Sequence, residues 1–281
     1  MKKIALIIVA FLIGLSANAQ NAPKGKLFII GGGERSDALM KQMLDVSALK
    51  AKDYIIVLPM ASEIPDTGFN FLSKQLKKLT GGSVAIKNFN FSKHDVKDKK
   101  WTDSLAGAKL IYILGGDQNR FMKVVLGTPV YAAIHQAYKS GATIAGTSAG
   151  AAVMSKYMIT GKHLIDTAAK DGFNKLWDKN IEFSQGLGLL QNTIIDQHFI
   201  KRNRYARLIS AVAAHPEMVG IGIDESTAII VHGSQATVAG ESQVIRLANP
   251  KNLQKTAKGL LKFNQAEFGI FTAGEVIPIN P

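Results

Sequence analysis

Cysteine is absent from all 281 residues. That excludes disulfides, thiol nucleophiles and cysteine-based metal sites, so burial of apolar surface must hold the fold together. Aromatic residues make up only 7%, and tryptophan occurs twice. With so few aromatics among the basic residues, the chain lacks the stacking platforms of a nucleic-acid surface, and no nucleic-acid partner is expected. Acidic residues are scarce, 21 against 34 Lys and Arg, for a formal net charge of +13. The excess basic residues are scattered (Lys74, Lys77, Lys78, Lys93, Lys97, Lys251, Lys255, Lys258) and read as a solvated basic surface. No H-E-x-x-H or similar ligand spacing occurs, so neither a metal nor a cofactor is expected. Long apolar runs are also lacking: Ile4 to Leu15 is too short to span a bilayer comfortably.

That short run has another meaning. Lys2 and Lys3 precede it and Ala17-Asn18-Ala19 follows, the charge, apolar and small-residue order of an export signal. Residues 1–19 are expected to be a signal peptide. Residues 20–281 are expected to form one α/β domain, exported to the periplasm or beyond, with no stable membrane association after cleavage.

From Lys26 onward, apolar runs alternate with helical patterns. Strands are predicted at Lys26 to Ile30, Asp53 to Pro59, Val84 to Phe91, Leu110 to Leu114 and Ala142 to Ala145. Helices are predicted at Asp37 to Leu49, Phe69 to Leu79, Gln118 to Leu126 and Pro129 to Lys139, with Ser92 to Lys100 as an exposed basic loop. This order implies a mostly parallel central sheet with helices on both faces and a site at the carboxyl ends of its strands. Antiparallel strands follow toward the C-terminus, Ala228 to Val231 and Ala236 to Ala239, joined near Gly233-Ser234. Ile159 to Leu190 has weak periodicity and reads as an inserted excursion over the site.

Three glycine-rich turns follow strands, at Gly31-Gly32-Gly33, Gly115-Gly116-Asp117 and Gly146-Thr147-Ser148-Ala149-Gly150. The first is not a dinucleotide fingerprint, because Ser36 stands where G-x-G-x-x-G requires its third glycine. The third puts one serine among small residues at a strand-to-helix turn. Such a turn lifts the Ser148 hydroxyl from the sheet toward the backbone N–H groups of a helix start, as a nucleophile requires. A serine also needs a base, and the base an orienting acid. Of six histidines, His94, His135, His215 and His232 read as structural, and His163 lies in the irregular excursion. His198 follows a buried strand amid dense polar residues, and Glu225 ends another apolar strand.

Four blocks now stand in order: Gly115-Gly116-Asp117-Gln118, Gly146 to Ala151, Asp196-Gln197-His198-Phe199 with Arg202, Arg204 and Arg207, and Gly222 to Ala228. Together they resemble the cyanophycinase family, within a larger serine peptidase group that includes aspartyl dipeptidases. The resemblance implies a fold like that of class I glutamine amidotransferases and a Ser148-His198-Glu225 triad. It also implies an oxyanion hole from the N–H groups of Gly116, Asp117 and Ala149. The implied substrate-binding residues are Gln118, Asp196, Gln197, Arg202, Arg204 and Arg207, with arginine forks suited to carboxylates and Asp196 to a guanidinium. The expected activity is that of a serine exopeptidase acting on β-aspartyl (isopeptide) bonds and releasing β-Asp-Arg dipeptides from cyanophycin. The expected partner is a peptide substrate, with a homodimer as the family's habit. Two alternatives are an exported aspartyl or isoaspartyl dipeptidase and an inactive peptide-binding homologue.

Overall fold

The computed structural model describes residues 23–167 and 175–281. The signal-peptide expectation therefore lies outside the described residues, as does part of the excursion.

An eight-stranded sheet forms the centre. Its parallel half contains β1 (Lys26–Ile30), β2 (Tyr54–Leu58), β3 (Ala85–Asn88), β4 (Leu110–Ile113) and β5 (Thr143–Thr147), in spatial order β1-β5-β4-β2-β3. These strands are short, and all but β3 are almost entirely apolar and buried, because helices cover both faces. Alternation along β1 divides the core. Phe28 and Ile30 pack with Leu39, Met40 and Met43 of α1 (Asp37–Ser47) and with Leu72 and Leu76 of α2 (Pro65–Thr80). Leu27 and Ile29 face Leu105 of α3 (Lys99–Ala106), Phe121 of α4 (Gln118–Val125) and Ile134 of α5 (Pro129–Lys139).

Local chemistry accounts for the differences from expectation. α2 starts at Pro65 rather than Phe69, because proline at the first helical position loses no hydrogen bond. α3 begins inside the stretch read as a loop: the Asp98 carboxylate caps it by accepting from the Lys100 and Trp101 N–H groups. β3 is shorter than predicted because it is the edge strand, exposed or half-buried throughout.

After β5 the chain makes a single helical turn, α6 (Ala149–Ala152), and then the excursion. The latter contains an antiparallel pair, β6 (Tyr157–His163) and β7 (Ile181–Gln185). A second sheet follows. β8 (Thr193–Gln197) leads through a turn to α7 (Tyr205–Ala214), and β9 (Val219–Ile223) returns parallel to β8. From β9 the chain crosses to the central sheet as β10 (Thr227–His232), antiparallel to β1, and turns at Gly233-Ser234 into β11 (Gln235–Gly240). β12 (Val244–Lys251) extends the second sheet beside β9, a small hairpin joins β13 (Gln254–Lys255) to β14 (Leu261–Lys262), β15 (Gln265–Phe271) pairs with β12, and β16 (Val276–Pro278) closes the central sheet. The crossing between sheets brings the carboxyl ends of β8 and β9 to the carboxyl ends of β1 and β5.

Candidate active site

The carboxyl end of β1 is the template on which the site is assembled. Three successive carbonyls accept three backbone N–H groups from distant segments. Ile30 receives Ser148 (3.0 Å), Gly31 receives His198 (2.8 Å) and Gly32 receives Ser226 (3.0 Å). The glycines are required by contact. A methyl group on Gly32 would overlap the His198 ring, and one on Gly33 would meet the Glu225 side chain. Gly32 (φ 119°) and Gly33 (φ 70°) also occupy backbone regions that a side chain resists. The first glycine turn therefore holds the other two segments of the site in place.

Ser148 sits at φ 53°, ψ −111°, an angle pair costly for a residue with a side chain. The turn is so tight that a methyl on Gly115 would lie 3.3 Å from the Ser148 Cβ. Its hydroxyl donates to His198 Nε2 at 2.8 Å, and His198 Nδ1 donates to Glu225 Oε1 at 2.6 Å. This directional assignment follows from the network: a carboxylate only accepts, so the proton sits on Nδ1 and Nε2 is left as the base. Burial holds the imidazole below the ordinary histidine value of 6.5. The Glu225 hydrogen bond and charge act the other way, while the charges of Arg202 and Arg204 reinforce burial. His198 is itself at φ 48°, and Ser226, beside Glu225, at φ 54°. Left-handed backbone at three such positions is the signature of a site whose geometry the fold enforces.

The N–H groups of Gly116 and Ala149 take no acceptor among the described residues, which leaves them available to a developing oxyanion. Asp117 is a correction. Its N–H is committed to the Ala61 carbonyl at 2.9 Å, and its carboxylate caps α4 through the Asn119 and Arg120 N–H groups. Asp117 therefore fixes the turn and has no N–H to offer.

The six expected substrate-binding residues divide. Asp196 is 0% exposed and forms a bidentate pair with Arg207, through Nε at 2.8 Å and through Nη2. Gln197 accepts from Arg204 Nη1 (2.7 Å) and from Arg207 Nη2 (3.1 Å). These four groups are a buried network behind His198, where the expectation was an open pocket lining and a face of arginine forks. The reason is the depth of β8: an aspartate at the end of a fully buried strand requires a cation beside it. Gln118 is likewise engaged, its amide donating to the Ile159 and Thr160 carbonyls and so tying β6 to α4. Arg202 alone is exposed, close enough for its charge to act on His198. Asp224, which the sequence left without a role, accepts from the Ile200 and Lys201 N–H groups and from the Ser242 hydroxyl, and so anchors the His198 turn.

The other histidines lie elsewhere. His94 bonds Asp98 at 2.8 Å and stacks on Trp101, His135 meets the Leu187 carbonyl, and His215 stacks on Tyr157. His163 is buried at the end of β6, and His232 is exposed at the end of β10.

The profile of Peptidase family S51 matches residues 27–239. A cyanophycinase of Trichormus variabilis is 33% identical over 247 residues, which cover 86% of this chain and 79% of that protein. A cyanophycinase of Thermosynechococcus vestitus is 31% identical over 250 residues, covering 87% and 74%. The solved structure of a peptidase from an acI-B1 Actinobacterium has the same fold, with a TM-score of 0.64 at 21% identity over 92% of this chain and 98% of that one. A match that spans every strand from β1 to β11 includes all three glycine turns and both strands that deliver polar groups to Ser148. The chain belongs to Peptidase family S51 and is a serine-type peptidase.

Proposed function

We propose that the protein is an exported, cyanophycinase-like exopeptidase that releases β-Asp-Arg units through a Ser148-His198-Glu225 triad. The observation that carries this reading is the pair of bonds joining the three side chains, 2.8 Å and 2.6 Å. Ser148 Oγ attacks the scissile carbonyl while its proton passes to His198 Nε2. The Gly116 and Ala149 N–H groups stabilise the oxyanion. His198 then returns the proton to the leaving amine, and the acyl-enzyme remains. Water attacks that ester with His198 again accepting a proton, and Ser148 is regenerated. Because the β-aspartyl-arginine link survives in the product, the bond broken is the one that joins a unit to the next, and not the β-aspartyl (isopeptide) bond of the first expectation. Exposed Arg202 is the cation placed to hold a substrate carboxylate. The test is incubation of the mature protein with cyanophycin and mass analysis of the products. Appearance of the β-Asp-Arg mass supports the reading, and an unchanged polymer rejects it.

One observation favours a second reading. The Asp196 carboxylate is neutralised by Arg207, so it offers nothing to a substrate guanidinium. A dipeptidase for other aspartyl or isoaspartyl peptides would need no such group. Comparison of kcat/KM for oligomers of β-Asp-Arg units, oligomers of β-Asp-Lys units and α-Asp-X dipeptides separates the two, since only the first reading requires a preference for arginine.

The pH profile should carry the mark of His198. A histidine held down by burial is neutral, and so able to accept a proton, at lower pH than a free one. The acid limb of kcat/KM is expected below 6.5. Glu225→Gln removes an influence that raises the imidazole and should move the limb lower while kcat falls; Arg202→Gln removes one that lowers it and should move the limb up. A limb unmoved by both changes would assign the titration to another group.

Export is the remaining part of the proposal and rests on Lys2-Lys3, the Ile4 to Leu15 run and Ala17-Asn18-Ala19. N-terminal sequencing of protein recovered from the cell exterior or periplasm should begin near Gln20. An intact Met1 in the cytoplasmic fraction would contradict it.

A further inference from the structure

A cleft of about 650 Å³ opens on the edge of the molecule away from the triad. Its position follows from strand direction. His198 stands directly after β8, whereas Gln191, which lines the cleft, stands before it. His215, also in the lining, stands before β9, which runs parallel to β8. The five residues of β8 separate its two ends by roughly 16 Å. The cleft is therefore distinct from the site at Ser148, and the proposed reaction makes no use of it.

Its walls are aromatic. Tyr157 of β6 lies opposite Gln185 of β7, and Ile159 lies opposite Phe183, so Tyr157, Phe183 and Gln185 share one face of this strand pair. The His215 ring, at the end of α7, stacks on Tyr157 with centroids 4.2 Å apart and meets Phe183 edge-on at 4.8 Å. Tyr131 of α5 adds a further ring, its hydroxyl fixed on the Leu187 carbonyl at 2.8 Å. All four rings are half-buried, so they are held by the fold and still face the cleft. Rings fixed in this way are prepared for a planar ligand. The charge of the cleft has one sign. Lys156 is exposed, lies 5.4 Å from the Tyr157 centroid and pairs with no carboxylate among the described residues. No aspartate or glutamate belongs to the lining among the described residues; its other polar side chains include Ser184, Gln185 and Gln191. Glu217 reaches His215 at 3.5 Å but is not part of the lining. An anion in the cleft meets an unpaired ammonium, and a cation meets only repulsion.

We infer that this cleft binds a planar aromatic carboxylate. The ring packs against Tyr157, Phe183 and Tyr131, and the carboxylate meets Lys156, with the Gln185 and Gln191 amides as further donors. Aromatic shape and negative charge are both required, so an aromatic amine of the same shape is rejected. The inference stands apart from the proposed release of β-Asp-Arg and survives if that reaction is wrong.

The experiment is isothermal titration of the mature protein with indole-3-acetate and with tryptamine, which share the indole ring and carry opposite charges. Indole-3-acetate is expected to bind with a Kd on the order of 0.1 mM, and tryptamine at least about tenfold more weakly. Lys156→Glu reverses the charge at an exposed position and should weaken indole-3-acetate about tenfold or more. Tyr157→Leu removes a wall and should weaken it similarly; should that variant fail to fold, Lys156→Glu carries the test alone. Arg202→Gln, at the catalytic edge, should leave the affinity unchanged. Absence of indole-3-acetate binding at millimolar concentration overturns the inference, as does equal binding of tryptamine. An affinity unmoved by Lys156→Glu, or lost in Arg202→Gln, places the ligand elsewhere and overturns it too.

Discussion

Ser148→Ala is expected to lower kcat by roughly 10⁴- to 10⁶-fold while the melting temperature stays within a few degrees. The residual rate comes from groups the variant retains, the Gly116 and Ala149 N–H groups and whatever holds the substrate. Stability should hardly change, because alanine keeps the Cβ and therefore the backbone strain at φ 53°. Ser148→Gly separates the two contributions. Glycine accepts positive φ without penalty, so this variant should be as inactive and slightly more stable than Ser148→Ala, by about 1 kcal/mol. A more stable, inactive enzyme is what strain stored for function predicts. Calorimetry and turnover of cyanophycin on the same preparations check both halves. Activity within tenfold of wild type would remove Ser148 from the chemistry; loss of the folded state in Ser148→Ala would make the Ser148–His198 bond structural instead.

The contrast between what the residues disclose and what they withhold has a physical basis. β1, β4 and β5 were readable because a strand covered on both faces is largely apolar, and a glycine stands within two residues of the end of each. The Ser148 turn was readable because only small residues fit there. Glu225 is legible from its place at the end of an apolar strand, which Asp224 shares, and the resemblance alone implies its place in the triad. Their roles differ through geometry: Asp224 bonds backbone N–H groups of the His198 turn, and Glu225 bonds the imidazole. The template role of Ile30, Gly31 and Gly32 was not legible, because a backbone carbonyl leaves no mark in a sequence. α3 was lost in a basic stretch because its stability comes from the Asp98 cap and from Trp101 packed against Phe89 and Phe91, contacts unrelated to periodicity. The last strands, β12 to β16, were illegible for a related reason: apart from β12 they lie at sheet edges or outside the two main sheets, so their outer residues are exposed and apolar alternation fades.

The arginines after His198 illustrate the opposite error. Arg204 and Arg207, three apart and beside a histidine, look like forks held out to a substrate, yet the structure turns both inward onto β8. This makes a large and testable demand on stability. Arg207→Met leaves the Asp196 carboxylate, which has no solvent contact, without its bidentate partner. Arg204 Nη1 stays 3.8 Å from Asp196 Oδ1 and compensates part of the charge, so the loss should approach, without exceeding, the about 3–5 kcal/mol of a fully orphaned buried charge. Asp196→Leu in the same background removes that charge and should recover part of the loss, because a buried pair replaced by apolar groups is often neutral while Arg204 keeps its bonds to Gln197. Urea denaturation of the two single variants and the double variant completes the cycle. Activity supplies the second readout. Gln197, held by both arginines, is covalently joined to His198, so loosening the network should lower kcat more than it raises KM. If Arg207→Met is instead fully stable and its KM rises steeply, the guanidinium serves substrate after all, and the inward pairing is only its resting position.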